Sequence, residues 1–160
     1  MARLTNRVRV LALKARESLP PELIGNKAHG LLRLMELGFP VPPGFCVTTE
    51  AYNEHLRGGK LRELMDATLQ DLPDASQETR RSRLAALQKH IIETPLGETL
   101  SQELGRHYQS LAAESVAVRS SGTAEDLPDA TFAGLYESYL SIIQLSECLQ
   151  AVKRCWASMW

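Results

Sequence analysis

"VAVRSSGTAEDLPDATFAGLYESYL", Val116–Leu140, begins as a strand and then changes character. The apolar run ends at Arg119. Small, hydroxylated and acidic residues follow as far as Ala133-Gly134, and a second strand-like segment begins near Tyr136. Loops of this length without secondary structure are uncommon in compact domains and are often functional. By strand alternation Arg119 shares a face with Ala117, while Val116 and Val118 point the other way. The apolar run reads as a buried strand, and a guanidinium emerging from a buried strand needs an anionic partner. Glu125 or Asp126 could pair with it internally, or it could hold a phosphate in bidentate fashion. Ser120, Ser121, Gly122 and Thr123 supply the hydroxyls and amides of an anion nest, and Ala133-Gly134 allows close backbone approach to a ligand. Glu125, Asp126 and Asp129 oppose an anion unless a cation intervenes.

A lysine elsewhere poses a matching question. In "GNKAHG" (Gly25–Gly30) the spacing of Leu31, Leu32, Leu34 and Met35 predicts an amphipathic helix from Asn26. Lys27 then sits in its first turn, where the helix dipole disfavours a cation. An anion at that end would remove the misfit, with amides, dipole and ammonium converging on one phosphate. A solvated surface lysine is the other reading. "GGKL" (Gly58–Leu61) is not a phosphate loop, because Leu61 stands where a hydroxyl is required and Glu54 where a glycine is required. It reads as a helix break with Lys60 in solvent.

Around these motifs, "VRVLALK" (Val8–Lys14) alternates as a short strand, and "ESLPPELIG" reads as a turn-rich connection ending at Gly25. Gly38 stops the Lys27 helix in a left-handed conformation. Pro40, Pro42 and Pro43 give an extended lead-in to the strand "GFCVTT", with Thr49 capping a helix from Glu50 to about Gln70. Ser76 caps a helix carrying Leu84, Leu87 and Ile91. Thr94-Pro95 predicts the start of another, with Leu96, Leu100, Leu104 and Leu111 on one side and Gly105 as a weak point. "LSECLQAVKRCWASMW" is helical through Leu149, Val152, Trp156 and Met159. It carries no stop signal, which predicts unsatisfied last carbonyls, an exposed Trp160 indole and a chain cut short.

The 160 residues suggest one domain spanning 1–160, with 44% hydrophobic and 23% charged residues, both ordinary for a globular chain. A net charge of −1 gives no footprint for nucleic acid or an anionic membrane. Arg80, Arg81 and Arg83 read as a solvated helix face. Cys46, Cys148 and Cys155 lack CxxC spacing and are odd in number, so neither a zinc site nor a disulfide framework is indicated; Cys148 and Cys155 read as small core hydrophobes. No apolar run reaches the roughly 18 residues of a membrane span, and no signal-peptide core is present at the N-terminus. The reducing cytoplasm is the expected location.

"GNKAHGLLRLMELGFPVPPGFCVTTEAY", "VAVRSSGTAEDLPDATFAGLYESYLSI" and "AVKRCWASMW", in that order, resemble the N-terminal nucleotide-binding domain of phosphoenolpyruvate synthases, shared with pyruvate phosphate dikinases and rifampicin phosphotransferases. The resemblance covers most of Val8–Trp160; about Leu56–Leu111 is undistinctive. It implies an α+β fold, the N-terminal part of an ATP-grasp module, with a small mixed sheet and several helices. The family moves phosphate from ATP to a histidine on a separate swivelling domain. Carried over, Lys27 and Arg119 would hold the ATP phosphates and stabilise the transferred group. Gly134 would belong to the covering loop, and Ser138 would stand where threonine is usual. Asn26 replaces the family's second glycine, Gly122 an alanine and Thr131 a serine, and "GLYES" replaces a G-Q-Q-D-T-like run. Mg2+ ligands, much of the adenine pocket and the phosphohistidine domain would lie outside this chain. None of His29, His55, His90 and His107 has the phosphorylated context; the last three read as surface or boundary residues on helices. The chain alone is then expected to be inactive, and an apolar face left by the missing half would favour a homodimer. Acceptor choice, pyruvate or an antibiotic, lies elsewhere, and a non-catalytic nucleotide-binding or partner module is the alternative of a different class.

Overall fold

Two short strands separated by a helix come first in chain order. A computed structural model describes residues 8–14, 19–123 and 137–160. Strand β1 (Val10–Ala12) pairs antiparallel with β2 (Phe45–Val47), Leu11 opposite Cys46. Helix α1 (Pro21–Glu36) joins them and buries Ile24, Ala28 and Leu32 against Cys46. The Pro21–Ile24 segment, expected as turn, is helical because Pro21 occupies the first position, where its missing N–H costs nothing. The ladder breaks at Gly25, at φ 78° and ψ 162°, so a second helical run effectively starts at Asn26, as the periodicity predicts. It ends as expected: Gly38 at φ 81° donates its N–H to the Met35 carbonyl, and Phe39 donates to Leu34, the paired bonds of a Schellman cap.

Helix α2 (Thr49–Arg57) begins one residue before the expected place. Thr48, not Thr49, is the N-cap; its Oγ1 accepts from the Ala51 N–H at 3.3 Å and donates to the Val8 carbonyl at 2.7 Å. Thr49 instead donates to the Glu22 carbonyl. Gly58–Lys60 form a 3-10 turn before α3 (Leu61–Asp71), and Lys60 is exposed. Helix α4 (Gln77–Glu93) is capped by Ser76 as expected.

Thr94-Pro95 does not start a helix. Proline drives the preceding residue out of the helical region, so Thr94 is extended (ψ 126°) and terminates α4. Its carbonyl accepts from Lys153 Nζ at 3.3 Å, and α5 (Glu98–Ser110) begins after Gly97. Gly105 is a close-packing point rather than a weak one: a Cβ there would lie 3.3 Å from Leu145 Cδ2.

Strand β3 (Val116–Arg119) pairs antiparallel with β4 (Ser138–Ile142). Val116 faces Ile142 and Val118 faces Tyr139, so two residues of β4 oppose Ala117 in a bulge, with Ser141 at φ 57°. Helix α6 (Leu145–Ala157) covers this sheet with Cys148 and Ala151 and contributes Val152 and Trp156 to the larger core formed with α2–α5. That helix stops at Ala157, and its last carbonyls are met by turn amides: Ser158 to Arg154, Met159 to Trp156, Trp160 to Ala157. The Trp160 indole, expected in solvent, is half-buried and donates from Nε1 to the Tyr52 hydroxyl at 2.9 Å.

His55 also departs from expectation. It is buried between α4 and α6, Nε2 donating to the Ile91 carbonyl at 3.1 Å and the ring 5.1 Å from that of Trp156. His90 is exposed, and His107 is half-buried against Phe45. The fold is α+β, with its described strands in two antiparallel pairs.

Candidate functional site

Two motifs about ninety residues apart meet at the kink of α1. The break at Gly25 turns the backbone so that the Asn26 N–H donates to the Gly122 carbonyl at 3.2 Å and the Ala28 N–H to Ser121 Oγ at 3.0 Å. Asn26 Nδ2 reaches the Thr123 carbonyl at 3.4 Å, and Lys27 Nζ donates to the Ser120 carbonyl at 3.1 Å. Two amides expected to receive a phosphate therefore already hold loop acceptors. The loop caps the helix restart, and the side chains carry the positive charge.

Glycine at 25 is required on two counts. Its φ of 78° disfavours any L side chain, and a Cβ there would sit 1.9 Å from the Ser121 carbonyl oxygen. The two backbones pack directly on each other.

Arg119, one residue before this junction, lies on the exposed face of β3 with Ala117, as the alternation predicts. The strand expected to be buried has none of its four residues buried, however, so the guanidinium stands in solvent. In register it faces Ser138 of β4, which is also exposed. Cross-strand neighbours of this kind hold their Cβ atoms roughly 5 Å apart. Lys27, Arg119 and Ser138 are thus gathered around Ser120: Lys27 on its carbonyl, Arg119 before it in the chain, Ser138 across the strand pair. Gly134, with Glu125, Asp126 and Asp129, lies outside the described residues.

Behind the junction, the Ser120 N–H donates to the Glu137 carbonyl, which Cys155 Sγ also approaches at 3.8 Å. Burial, with the neighbouring Glu137 charge adding to it, pushes the Cys155 thiol up to about 12. It is a packed thiol under the site rather than a nucleophile. Ser120 Oγ is buried with no hydrogen-bond partner among the described residues. An open cleft of about 610 Å3 runs along β4 and α6, lined by Ser138, Ser141, Glu147, Gln150 and Arg154 among others; neither Lys27 nor Arg119 lines it. Arg154 lies over the Tyr139 ring at 5.8 Å from its centroid. Among the described residues, no group of three or more His, Cys, Asp or Glu side chains could hold a metal ion, and no helix is long and apolar enough to cross a membrane.

Residue-type reasoning missed the work of Ser121. A sign of it was present: a helix restarting behind a glycine has no capping oxygen of its own, so one must come from elsewhere.

Residues 21–160 match the family described as pyruvate phosphate dikinase, AMP/ATP-binding domain. The chain is 34% identical over 146 residues to the probable phosphoenolpyruvate synthase of Staphylothermus marinus, covering 86% of this chain and 18% of that protein. It is 38% identical over 151 residues to the phosphoenolpyruvate synthase of Neisseria meningitidis serogroup B, covering 87% and 19%. It is 39% identical over 143 residues to the rifampicin phosphotransferase of a Streptomyces species, covering 86% and 16%. The family match over residues 21–160 places the chain among AMP/ATP-binding domains. It belongs to the pyruvate phosphate dikinase AMP/ATP-binding domain family. The chain spans about a fifth of the length of the curated relatives it matches.

Proposed function

We propose that this chain is the N-terminal part of an ATP-grasp nucleotide-binding domain, 1–160, and binds ATP for a phosphoenolpyruvate synthase-like phosphotransferase. The observation that supports this reading is the convergence of Lys27 onto the Ser120 carbonyl, beside Arg119 and its cross-strand neighbour Ser138. An ammonium and a planar guanidinium carried on neighbouring backbone from distant motifs would suit a polyphosphate, the guanidinium gripping two oxygens and the ammonium acting as a point charge.

Phosphoryl transfer rests on positioning and on stabilising charge over the moving group. Lys27 and Arg119 would do both, with the Ser138 hydroxyl available to a phosphate oxygen and Gly134 in the covering loop. The acceptor would be a histidine on a separate domain, and magnesium, if used, would find its carboxylates outside this chain. The rifampicin phosphotransferase likeness keeps an antibiotic acceptor as the second reading, since the acceptor is chosen by other parts of such a protein. Pairing with the remaining half of the module, or with a second copy, would cover exposed Leu140 and Ile143 beside the site.

Calorimetric titration with ATP, with and without magnesium, on the wild-type chain, Lys27→Ala and Arg119→Ala tests the reading. The expected result is binding that weakens in both variants, each by roughly tenfold for a charge-assisted contact. A folded wild-type chain that takes up no ATP, or variants that bind as well as wild type, would refute it.

A further inference from the structure

Lys27 and Arg119 are useful together only if the turn carrying one is held in register with the strand carrying the other. Three contacts to successive residues supply that register: Lys27 Nζ on the Ser120 carbonyl, Ala28 N–H on Ser121 Oγ, and Asn26 N–H on the Gly122 carbonyl. Two of these use backbone carbonyls, which every residue type carries. The one whose partner on the loop is a side chain is Ser121.

We propose that Ser121 is the positioning residue of this site. Its hydroxyl caps the Lys27 turn from 93 positions away and thereby sets the separation at which the ammonium and the guanidinium meet a polyphosphate. The proposal rests on the reading of Lys27 and Arg119 as phosphate ligands. The helix restart follows Gly25, which has no side chain to cap it, and the Ala28 N–H finds its side-chain cap in Ser121 Oγ. The Ser121 carbonyl packs in the space a Cβ would fill at Gly25, so the hydroxyl cannot shift far without moving the backbone under it. Aspartate would also cap the turn but would place a negative charge beside the two cations. Serine caps it without opposing an anion.

The test follows amide hydrogen exchange at Ala28 together with Mg-ATP titration, on the wild-type chain, Ser121→Ala and Ser121→Thr. One cap is a small part of a domain's stability, so Ser121→Ala stays folded, which circular dichroism checks. The expected result is exchange at Ala28 about fivefold faster in Ser121→Ala, the effect of losing a cap oxygen. ATP affinity falls at least threefold to fivefold as preorganisation is lost, on the order of what loosening a site costs. Threonine, which keeps the hydroxyl, restores both. Unchanged exchange in Ser121→Ala overturns the proposal, as does faster exchange with unaltered ATP affinity, since that describes a cap serving the fold alone. A wild-type chain that binds no ATP overturns the nucleotide reading itself, and with it the positioning role. That outcome differs from the others because it appears before any variant is made.

Discussion

Alanine in place of Gly25 and alanine in place of Gly30 are the same change five residues apart in one helix, and the packing gives them opposite signs. At Gly30 a Cβ meets nothing within 4 Å, so the helix gains alanine's propensity and the chain is stabilised by about 0.5–1 kcal/mol. At Gly25 the backbone lies at φ 78° and ψ 162°, a region open essentially to glycine alone, which costs an L residue about 1–3 kcal/mol. The new methyl also falls 1.9 Å from the Ser121 carbonyl oxygen and 2.5 Å from its carbonyl carbon, atoms of a backbone that cannot rotate aside. Reaching ordinary contact requires a retreat of about 1.5 Å. That retreat breaks the 3.0 Å Ala28–Ser121 bond and the 3.1 Å Lys27–Ser120 bond. Each such bond is worth about 0.5–1.5 kcal/mol net, and solvent recovers part of it here. The expected loss for Gly25→Ala is about 3–4 kcal/mol, or roughly 10 °C in Tm for a chain of this size. Urea denaturation followed by circular dichroism measures both variants against wild type. A Gly25→Ala chain within about 1 kcal/mol of wild type would refute the backbone-on-backbone junction, because neither the φ penalty nor the overlap could then be present.

His55 makes stability depend on acid. Burial, with the Lys153 charge adding to it, lowers its pKa in the folded state, although the Ile91 carbonyl works in the other direction; the Trp156 ring packs 5.1 Å from the imidazole. The unfolded chain therefore takes up a proton first as pH falls below about 6.5, and stability drops from there by up to about 1.4 kcal/mol per pH unit. His55→Gln should flatten this segment of a stability–pH curve, and an unchanged acid slope in that variant would contradict the assignment. Burial likewise raises Cys46 and Cys155 to about 12 and Cys148 to about 11. A thiol reagent at pH 8 should label none of the three until the chain unfolds, and rapid native labelling would contradict their packing. Ser120→Ala removes a buried hydroxyl without a partner among the described residues and should stabilise the chain by about 1 kcal/mol; measurable destabilisation would mean that the hydroxyl has a partner.

What could be read from the chain divides along the range of the interactions involved. The Gly38 cap, the Ser76 cap, the Gly58–Lys60 break and the alternation that exposes Arg119 are decided within a few residues, and each stands as expected. Thr94-Pro95 is local too, but the dipeptide supports two opposite outcomes: a helix start at Pro95, or a helix stop imposed on Thr94. The Lys153 ammonium on the Thr94 carbonyl, 59 positions away, accompanies the second. His55 and Trp160 were misread for a related reason. A histidine on a polar-looking helix, or a tryptophan at the end of the chain, is buried only because α4, α6 and Tyr52 close over it.

The site shows the same division at finer grain. Lys27 and Arg119 stand out in the sequence because each is a cation in a place that needs an anion to explain it. Ser121 does not stand out, because a serine in a polar loop violates nothing. Its role is fixed by an absence elsewhere, the missing cap oxygen at Gly25, and only the folded chain pairs that absence with the hydroxyl that fills it. A cation out of place is thus legible as a local misfit, while the hydroxyl that caps its turn is legible only as half of a pair. That is why the single-site prediction at Gly25 and the hydroxyl test at Ser121 bear on one junction from its two sides.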